Sequence, residues 1–248
     1  MENKIALITG ATRGIGLAVA ETLGREGYKV ILNGLLEDEG QKVVTDLKNN
    51  GIDAELYICD VTDEKAVDKM VNEIGTKYGH IDTVINNAGG LGGREKFEGM
   101  TTEFYRRVMA LNLDSTLFVT RAAIPYLKNS KNLPSIINYT SIAAYNGGGP
   151  GAGVYSAAKG AVLTMTRSMA KELIAYGIRV NAISPGTIDT AFHSATNKDI
   201  MESWKSGIAI GRFGESKEVA DIISFLVSEK ASYLVGEVIQ INGGQAYL

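Results

Sequence analysis

One cysteine, Cys59, and two histidines, His80 and His193, are all that this chain of 248 residues has of thiol and imidazole. A single thiol excludes an internal disulfide, and so few Cys and His, spread far apart, argue against a structural zinc. No metal is expected. With only four prolines and no Ser/Gly-rich stretch, no place stands out where a second domain would be joined. No apolar run reaches the roughly 18–20 residues that a membrane-spanning helix needs. The opening "MENKIALITG" enters a strand-like run within a few residues and has no leader character, so a cytoplasmic protein without membrane contact is expected. A Lys/Arg-rich tract is also missing, since "YRR" at 105–107 is too short to form a footprint. The 25 basic residues against 28 acidic ones give a net charge of −3, which points to no nucleic-acid partner.

What is present is an ordinary globular composition, 45% hydrophobic and 21% charged, laid out in alternation. Short runs rich in Ile, Val and Leu lie at 4–9, 29–33, 54–59, 82–86, 135–140, 178–184 and 237–241. Strands buried on both faces read this way. Between them, amphipathic helices are predicted over 15–26, 38–49, 62–78, 103–129, 154–176 and 216–228. The first of these presents Ile15, Val19 and Leu23 on one face, and the third has a Thr at its N-cap position. The segment 103–129 is expected to break near Leu111–Asn112, because a short amide is mildly unfavourable in mid-helix. This alternation predicts a doubly wound (Rossmann) α/β fold: a single domain over 1–248, with a mostly parallel seven-stranded sheet and helices on both faces. The stretch at about 185–210 lacks periodicity, and a loop of that length in a compact domain suggests a substrate-binding lid.

The first strand runs into "TGATRGIG", with Gly10, Gly14 and Gly16, and then into a helix. A strand, a glycine turn and a helix N-terminus together let backbone approach a pyrophosphate while N–H groups and positive potential face it. A nucleotide is therefore favoured over a turn that serves packing alone. In such folds an acid ending the second strand receives the ribose 2′-hydroxyl of NAD. Here the second strand ends "ILNGLLEDE": Asn33 and Gly34 stand at the expected place, Glu37 and Asp38 come a few residues late, and Arg13 sits inside the glycine turn. That favours NADP(H), with NAD(H) as the alternative. Asp60 and Val61 follow the third strand, where an adenine would lie, although Asp60 could equally cap the next helix. "NNAGG" at 86–90 follows the fourth strand, and its small residues would admit a cofactor closely.

The stretch "GVYSAAKGAV", residues 153–162, sets Tyr155 and Lys159 one helical turn apart on one face, and Ser141 lies just past the fifth strand. A tyrosine ordinarily loses its proton near pH 10, too high for efficient exchange at neutrality. A neighbouring ammonium, together with the positive charge of an oxidised nicotinamide, is expected to lower that value.

With these pieces in order, the chain resembles the short-chain dehydrogenases/reductases: TGxxxGIG, NNAG, the Asn of "LNLDS", a Ser ahead of YxxxK, and PG-x-x-x-T after the sixth strand, over essentially its whole length. The resemblance implies Asn112, Ser141, Tyr155 and Lys159 as the catalytic group. In it Tyr155 exchanges the proton, Ser141 holds the reacting oxygen, Lys159 also holds the ribose, and Asn112 anchors a water leading toward Lys159. It likewise implies Gly10, Arg13, Gly14, Ile15, Gly16, Asp60, Val61, Asn87, Tyr155, Lys159 and Ile188 around the cofactor, and a homotetramer.

Within that family the chain is similar both to 3-oxoacyl-carrier-protein reductases and to bacterial sugar or polyol dehydrogenases. Tyr176 stands where the acyl reductases often carry an arginine, and the "NGGGPGAG" and "PGTIDTAFH" segments look closer to reductases of sugar- or uronate-derived carbonyls. Arg94 in "GGLGGREKFEG" is a candidate clamp for a substrate carboxylate, and His193 a candidate substrate contact. The expected function is hydride transfer between a nicotinamide cofactor and the carbonyl or secondary alcohol of a small polar substrate. The alternatives are fatty-acid 3-oxoacyl reduction and, as a different class, a non-catalytic nucleotide sensor.

Overall fold

The computed structural model describes residues 4–190 and 198–247. Its strands are β1 (Lys4–Ile8), β2 (Tyr28–Gly34), β3 (Ala54–Ile58), β4 (Thr83–Asn86), β5 (Ser135–Tyr139), β6 (Arg179–Pro185) and β7 (Val238–Ile241), each within two residues of a predicted run. They form one sheet in the order β3-β2-β1-β4-β5-β6-β7, with every neighbouring pair parallel. The chain winds outward from β1 to β3, returns to β4 beside β1, and winds outward the other way. β1 and β4 therefore flank the point where the winding reverses, and open α/β sheets bind ligands beyond the carboxyl ends of the strands there.

Parallel strands need crossovers, and the amphipathic segments supply them. Helices α1 (Gly14–Arg25), α2 (Glu37–Asn49), α3 (Glu64–Tyr78), α4 (Thr102–Met109), α5 (Ser115–Leu127), α6 (Ala143–Asn146), α7 (Gly153–Leu173), α8 (Lys198–Ser206) and α9 (Ser216–Val227) follow in chain order. On one face of the sheet Val19 and Leu23 of α1, Val44 of α2 and Ile223 of α9 pack on Ile8, Val30 and Ile183. On the other, Val67 and Ile74 of α3, Val119 of α5 and Ala170 of α7 pack on Leu7, Val84 and Val180. The strand interiors contact both layers, which is why their sequences read as continuous apolar runs.

Two local readings are corrected. The cap of α3 is Asp63 rather than Thr62: the Asp63 carboxylate accepts from the N–H groups of Lys65 and Ala66. The break expected near Leu111–Asn112 is a five-residue π-helical turn, Ala110–Asp114, between α4 and α5, and the chain stays helical through it. Such wide turns occur mostly as single-turn bulges, often at functional sites.

Candidate active site

Beyond the carboxyl ends of β1, β4, β5 and β6 lies a cleft of about 830 Å³. Its floor at one end is the glycine turn, where Gly10 (φ +60°) and Gly14 (φ +57°) hold left-handed backbone that other residues rarely adopt. Gly16 packs behind this turn, where a methyl group would lie 2.5 Å from the Gly10 carbonyl oxygen and 2.6 Å from Asn87 Nδ2. Asn87 locks the turn by donating to the carbonyls of Thr9 (2.8 Å) and Gly10 (2.9 Å). Arg13 caps α1 in an extended conformation without a side-chain capping bond, so the first N–H groups of the helix have no side-chain cap. Glycine backbone, uncapped helix N-terminus and the exposed Arg13 side chain together fit the pyrophosphate and phosphate groups of a dinucleotide.

At the other end stand the predicted catalytic side chains. Ser141 follows β5, and Tyr155 and Lys159 project from the first turns of α7. A buried polar relay sets α7 against the sheet: Asn86 Nδ2 donates to Asn138 Oδ1 (2.8 Å) and Thr120 Oγ1 (2.9 Å), and Asn138 Nδ2 donates to Thr166 Oγ1 (2.9 Å). Its partners are fully enclosed, so shifting α7 along the sheet would orphan buried amides. The hydroxyls of Tyr155 and Ser141 are hydrogen-bonded, and Ser141 Oγ also accepts from the Ala143 N–H at 3.1 Å.

Lys159 is 4% exposed and donates to the Tyr139 carbonyl at 2.9 Å, with its ammonium 5.8 Å from the centre of the Tyr155 ring. Burial pushes its pKa down to about 8. Burial holds the Tyr155 phenol above its ordinary value, and the Ser141 hydrogen bond offsets only part of this. Lys159 spends a hydrogen bond on the Tyr139 carbonyl rather than on the phenol.

Asn112 is fully buried in the π-helical turn. Its Nδ2 donates to the carbonyls of Gly90 (2.8 Å) and Val108 (2.9 Å), and its Oδ1 accepts from the Gly90 N–H (3.0 Å). The amide thus fixes the backbone of the 89–90 glycine pair. A methyl on Gly89 would lie 3.0 Å from Asn112 Oδ1 and 3.2 Å from Lys159 Nζ, so Gly89 leaves those two polar groups bordering one small space.

A family model described as enoyl-(acyl carrier protein) reductase matches residues 10–246. The 3-oxoacyl-[acyl-carrier-protein] reductase FabG of Thermotoga maritima is 36% identical over 244 residues, covering 98% of each chain. The chain belongs to the short-chain dehydrogenase/reductase family. Meso-2,3-butanediol dehydrogenase of Serratia marcescens is 35% identical, over 98% of this chain and 94% of that protein. Among solved structures, an NADH-dependent reductase A1-R′ responsible for alginate metabolism superposes with a TM-score of 0.91 at 36% identity, covering 100% of this chain and 98% of that one. The chain is accordingly an NAD(P)-dependent oxidoreductase acting on CH–OH or C=O groups.

As a short-chain dehydrogenase/reductase the protein brings Gly10, Arg13, Gly14, Ile15, Asn87, Ser141, Tyr155, Lys159 and Ile188 to one cleft. Gly16, Asn112, Asp60 and Val61 do not line it. Asp60 is exposed and its carboxylate accepts from both the N–H and the hydroxyl of Thr62. The Val61 side chain is core. Asn33 is corrected: at 2% exposure its amide turns inward, donating to the Cys59 carbonyl at 2.9 Å, and so ties β2 to β3 rather than facing a ribose. Arg94 is exposed at the cleft wall. His193 and residues 191–197 of the expected lid at about 185–210 lie outside the described residues, and 198–206 of that stretch is helix α8 rather than loop.

Two further cleft residues, Trp204 and Gln245, lie outside every motif singled out in the sequence. Only Trp204 had a signal, as the single tryptophan in the chain. Among the described residues no helix is long and apolar enough to cross a membrane, and no cluster of potential metal ligands occurs.

Proposed function

We propose that the protein is an NADP(H)-favouring reductase or dehydrogenase of a small, polar, carboxylate-bearing carbonyl compound derived from a sugar or uronate. Arg94 carries the substrate class. It stands at the cleft wall, one of its N–H groups donates to the Pro150 carbonyl at 2.9 Å, and among the described residues no carboxylate lies within ion-pairing distance. A guanidinium with donors to spare beside a reaction cleft suits a carboxylate. The alginate-metabolism reductase among the structural neighbours agrees with this class. The cofactor preference rests on β2, which ends Asn33-Gly34 with no acid and is followed by the exposed Leu35, and on Arg13 in the glycine turn; the same neighbour's NADH dependence points the other way.

When bound, a nicotinamide would supply or accept the hydride and, in its oxidised form, carry a positive charge. In reduction Tyr155 donates its proton to the substrate oxygen, and Ser141 holds that oxygen as negative charge grows. Lys159 holds the ribose and supplies positive potential. Asn112 works through the backbone it fixes, since its amide hydrogen-bonds Gly90 and Val108. By family resemblance the enzyme works as a cytoplasmic homotetramer.

The test is loss of reduced-cofactor absorbance with NADPH and NADH in parallel, over sugar-derived keto acids, simple ketones and 3-oxoacyl thioesters. Turnover of a keto acid with NADPH is expected; a clear NADH preference would remove the case for Arg13. Arg94→Met is expected to raise KM for the keto acid about 10- to 100-fold, as for the loss of a charge-assisted pair. It should leave a neutral ketone unchanged, and an equal loss on both would reduce Arg94 to a loop contact.

A second reading, 3-oxoacyl-carrier-protein reduction, is favoured by the FabG relatives. Against it stands Tyr176, in the turn after α7, which is half-exposed with the Lys128 ammonium 3.4 Å from its ring centre, so a tyrosine occupies the place of the expected docking arginine. Turnover confined to acyl thioesters would establish that second reading.

A further inference from the structure

The last turn of the chain reaches back into the cleft. Gln245 Oε1 accepts from the Thr187 N–H at 2.9 Å and lies 3.2 Å from Thr187 Oγ1, while Gln245 Nε2 donates to that hydroxyl at 3.0 Å. The side chain is held in place by its own turn. The Gln245 N–H donates to the Asn242 carbonyl, Asn242 Oδ1 accepts from the Gly244 N–H, and Asn242 Nδ2 donates to the Ala246 carbonyl. The loop it grips has room only for glycine beside it: a methyl on Gly186 would lie 2.7 Å from Gln245 Oε1 and 2.9 Å from Asn242 Cα.

The opposite side of the same loop is also fixed. The Gly214 N–H donates to the Thr187 carbonyl at 3.0 Å and the Asp189 N–H donates to the Gly214 carbonyl at 2.8 Å, a parallel bridge centred on Ile188. In that pattern the N–H and C=O of Ile188 itself point away from Gly214. Ile188, Thr187 and Gln245 all line the cleft.

We propose that Gln245 is a positioning residue for cofactor binding, holding Thr187 so that the backbone of Ile188 presents its N–H and C=O to the nicotinamide end of the dinucleotide. The inference rests on the cofactor lying in this cleft with its nicotinamide at the Ile188 end. The C-terminal turn is then a working part of the cofactor site. Gln245 need not touch the cofactor; it sets the angle and depth of the loop that does. Because Thr187 is gripped through both its backbone and its hydroxyl, an apolar side chain of equal length releases both at once.

The experiment is direct titration of the full-length enzyme with oxidised and reduced cofactor, followed by quenching of Trp204, the only tryptophan, which lies in the same cleft wall. Gln245→Met is expected to weaken cofactor binding roughly tenfold, the scale of one or two lost neutral hydrogen bonds. Cofactor KM should rise in step, with kcat at saturation little changed. Gln245→Glu keeps acceptors for both Thr187 donors, and should restore most of the affinity for the oxidised cofactor, whose positive ring tolerates the added carboxylate. Unchanged affinity in Gln245→Met, with or without a lower melting temperature, would overturn the proposal, and so would equal losses in the Met and Glu variants. Absence of cofactor binding by the unmodified enzyme would instead overturn the reading on which it rests.

Discussion

Tyr155→Phe is expected to lower kcat by a factor of about 10²–10⁴, the usual reach of a positioned general acid. Cofactor affinity should stay within a few-fold of the parent. The change removes one oxygen and leaves the ring, which packs beside the buried Phe104, Val108 and Val154, so the fold has little reason to respond. The reacting oxygen would keep the Ser141 hydroxyl but lose its proton source. Two measurements check this together: steady-state turnover at saturating cofactor, and a cofactor titration of the free enzyme. Activity within tenfold of the parent would mean that the proton comes from elsewhere and that Tyr155 only shapes the cleft. The pH dependence adds a sign. Since burial lifts the phenol above its usual value in the chain alone, the alcohol-oxidising direction, which needs phenolate, should gain rate as pH rises, while the carbonyl-reducing direction, which needs the protonated phenol, should hold its rate and then fall.

Lys159→Met is expected to inactivate the enzyme while making it more stable. The ammonium is buried, and its pKa falls from 10.5 to about 8 because the charged form is poorly solvated there. A shift of that size corresponds to roughly 3 kcal/mol against the charged state. The lost bond to the Tyr139 carbonyl offsets part of it, leaving a net gain on the order of 1–3 kcal/mol at neutral pH. Between about pH 8 and pH 10.5 the unfolded chain still holds the proton that the native lysine has released. Native stability of the parent therefore rises with pH across that window. Methionine does not titrate, so the advantage of the variant should be full below pH 8 and shrink above it. Denaturant unfolding of both proteins, at neutral pH and at two points within the window, decides the matter. A variant less stable than the parent at neutral pH, or a gap that widens with pH, would refute the account. The reason for carrying such a residue is functional, since stability is commonly given up where a site needs a strained or desolvated group.

The seven strands were legible because each is enclosed between two helical layers and so spells an unbroken apolar word. "SIINYT" could hardly be anything else at that length. The ligand end of the sheet was legible for a different reason: glycines with positive φ, as at Gly10 and Gly14, have few other uses immediately after a strand. Orientation was the part that could not be read. Asn33 and Asn112 were both placed near ligands by their position along the chain. Yet which way each points depends on the neighbouring backbone, the Cys59 carbonyl for one and Gly90 for the other, and those neighbours lie 26 and 22 residues away. The same holds for Tyr155, whose surroundings are assembled by α4, α7 and the β5 end together, so that spacing to Lys159 could not show how deeply the phenol is buried. Gln245 was illegible outright, because a glutamine after a glycine pair near a chain end has no pattern of its own and acquires meaning only against Thr187, 58 positions earlier.

The five-residue turn at Ala110–Asp114 has a consequence for anyone who edits this chain. An extra residue in a helix rotates everything downstream by about 100°, so α4 and α5 are two gears meshed at a fixed offset. The tooth that faces α7 is carried by Phe104 and Val108, and the tooth that faces α3 and the sheet by Val119, Ala123 and Leu127. Removing one residue here would regularise the helix and strip the mesh, turning one apolar stripe toward water and Asn112 away from Gly90. A substitution is a local event at this spot, whereas a single deletion is a global one. The segment should tolerate changes of letter far better than changes of length.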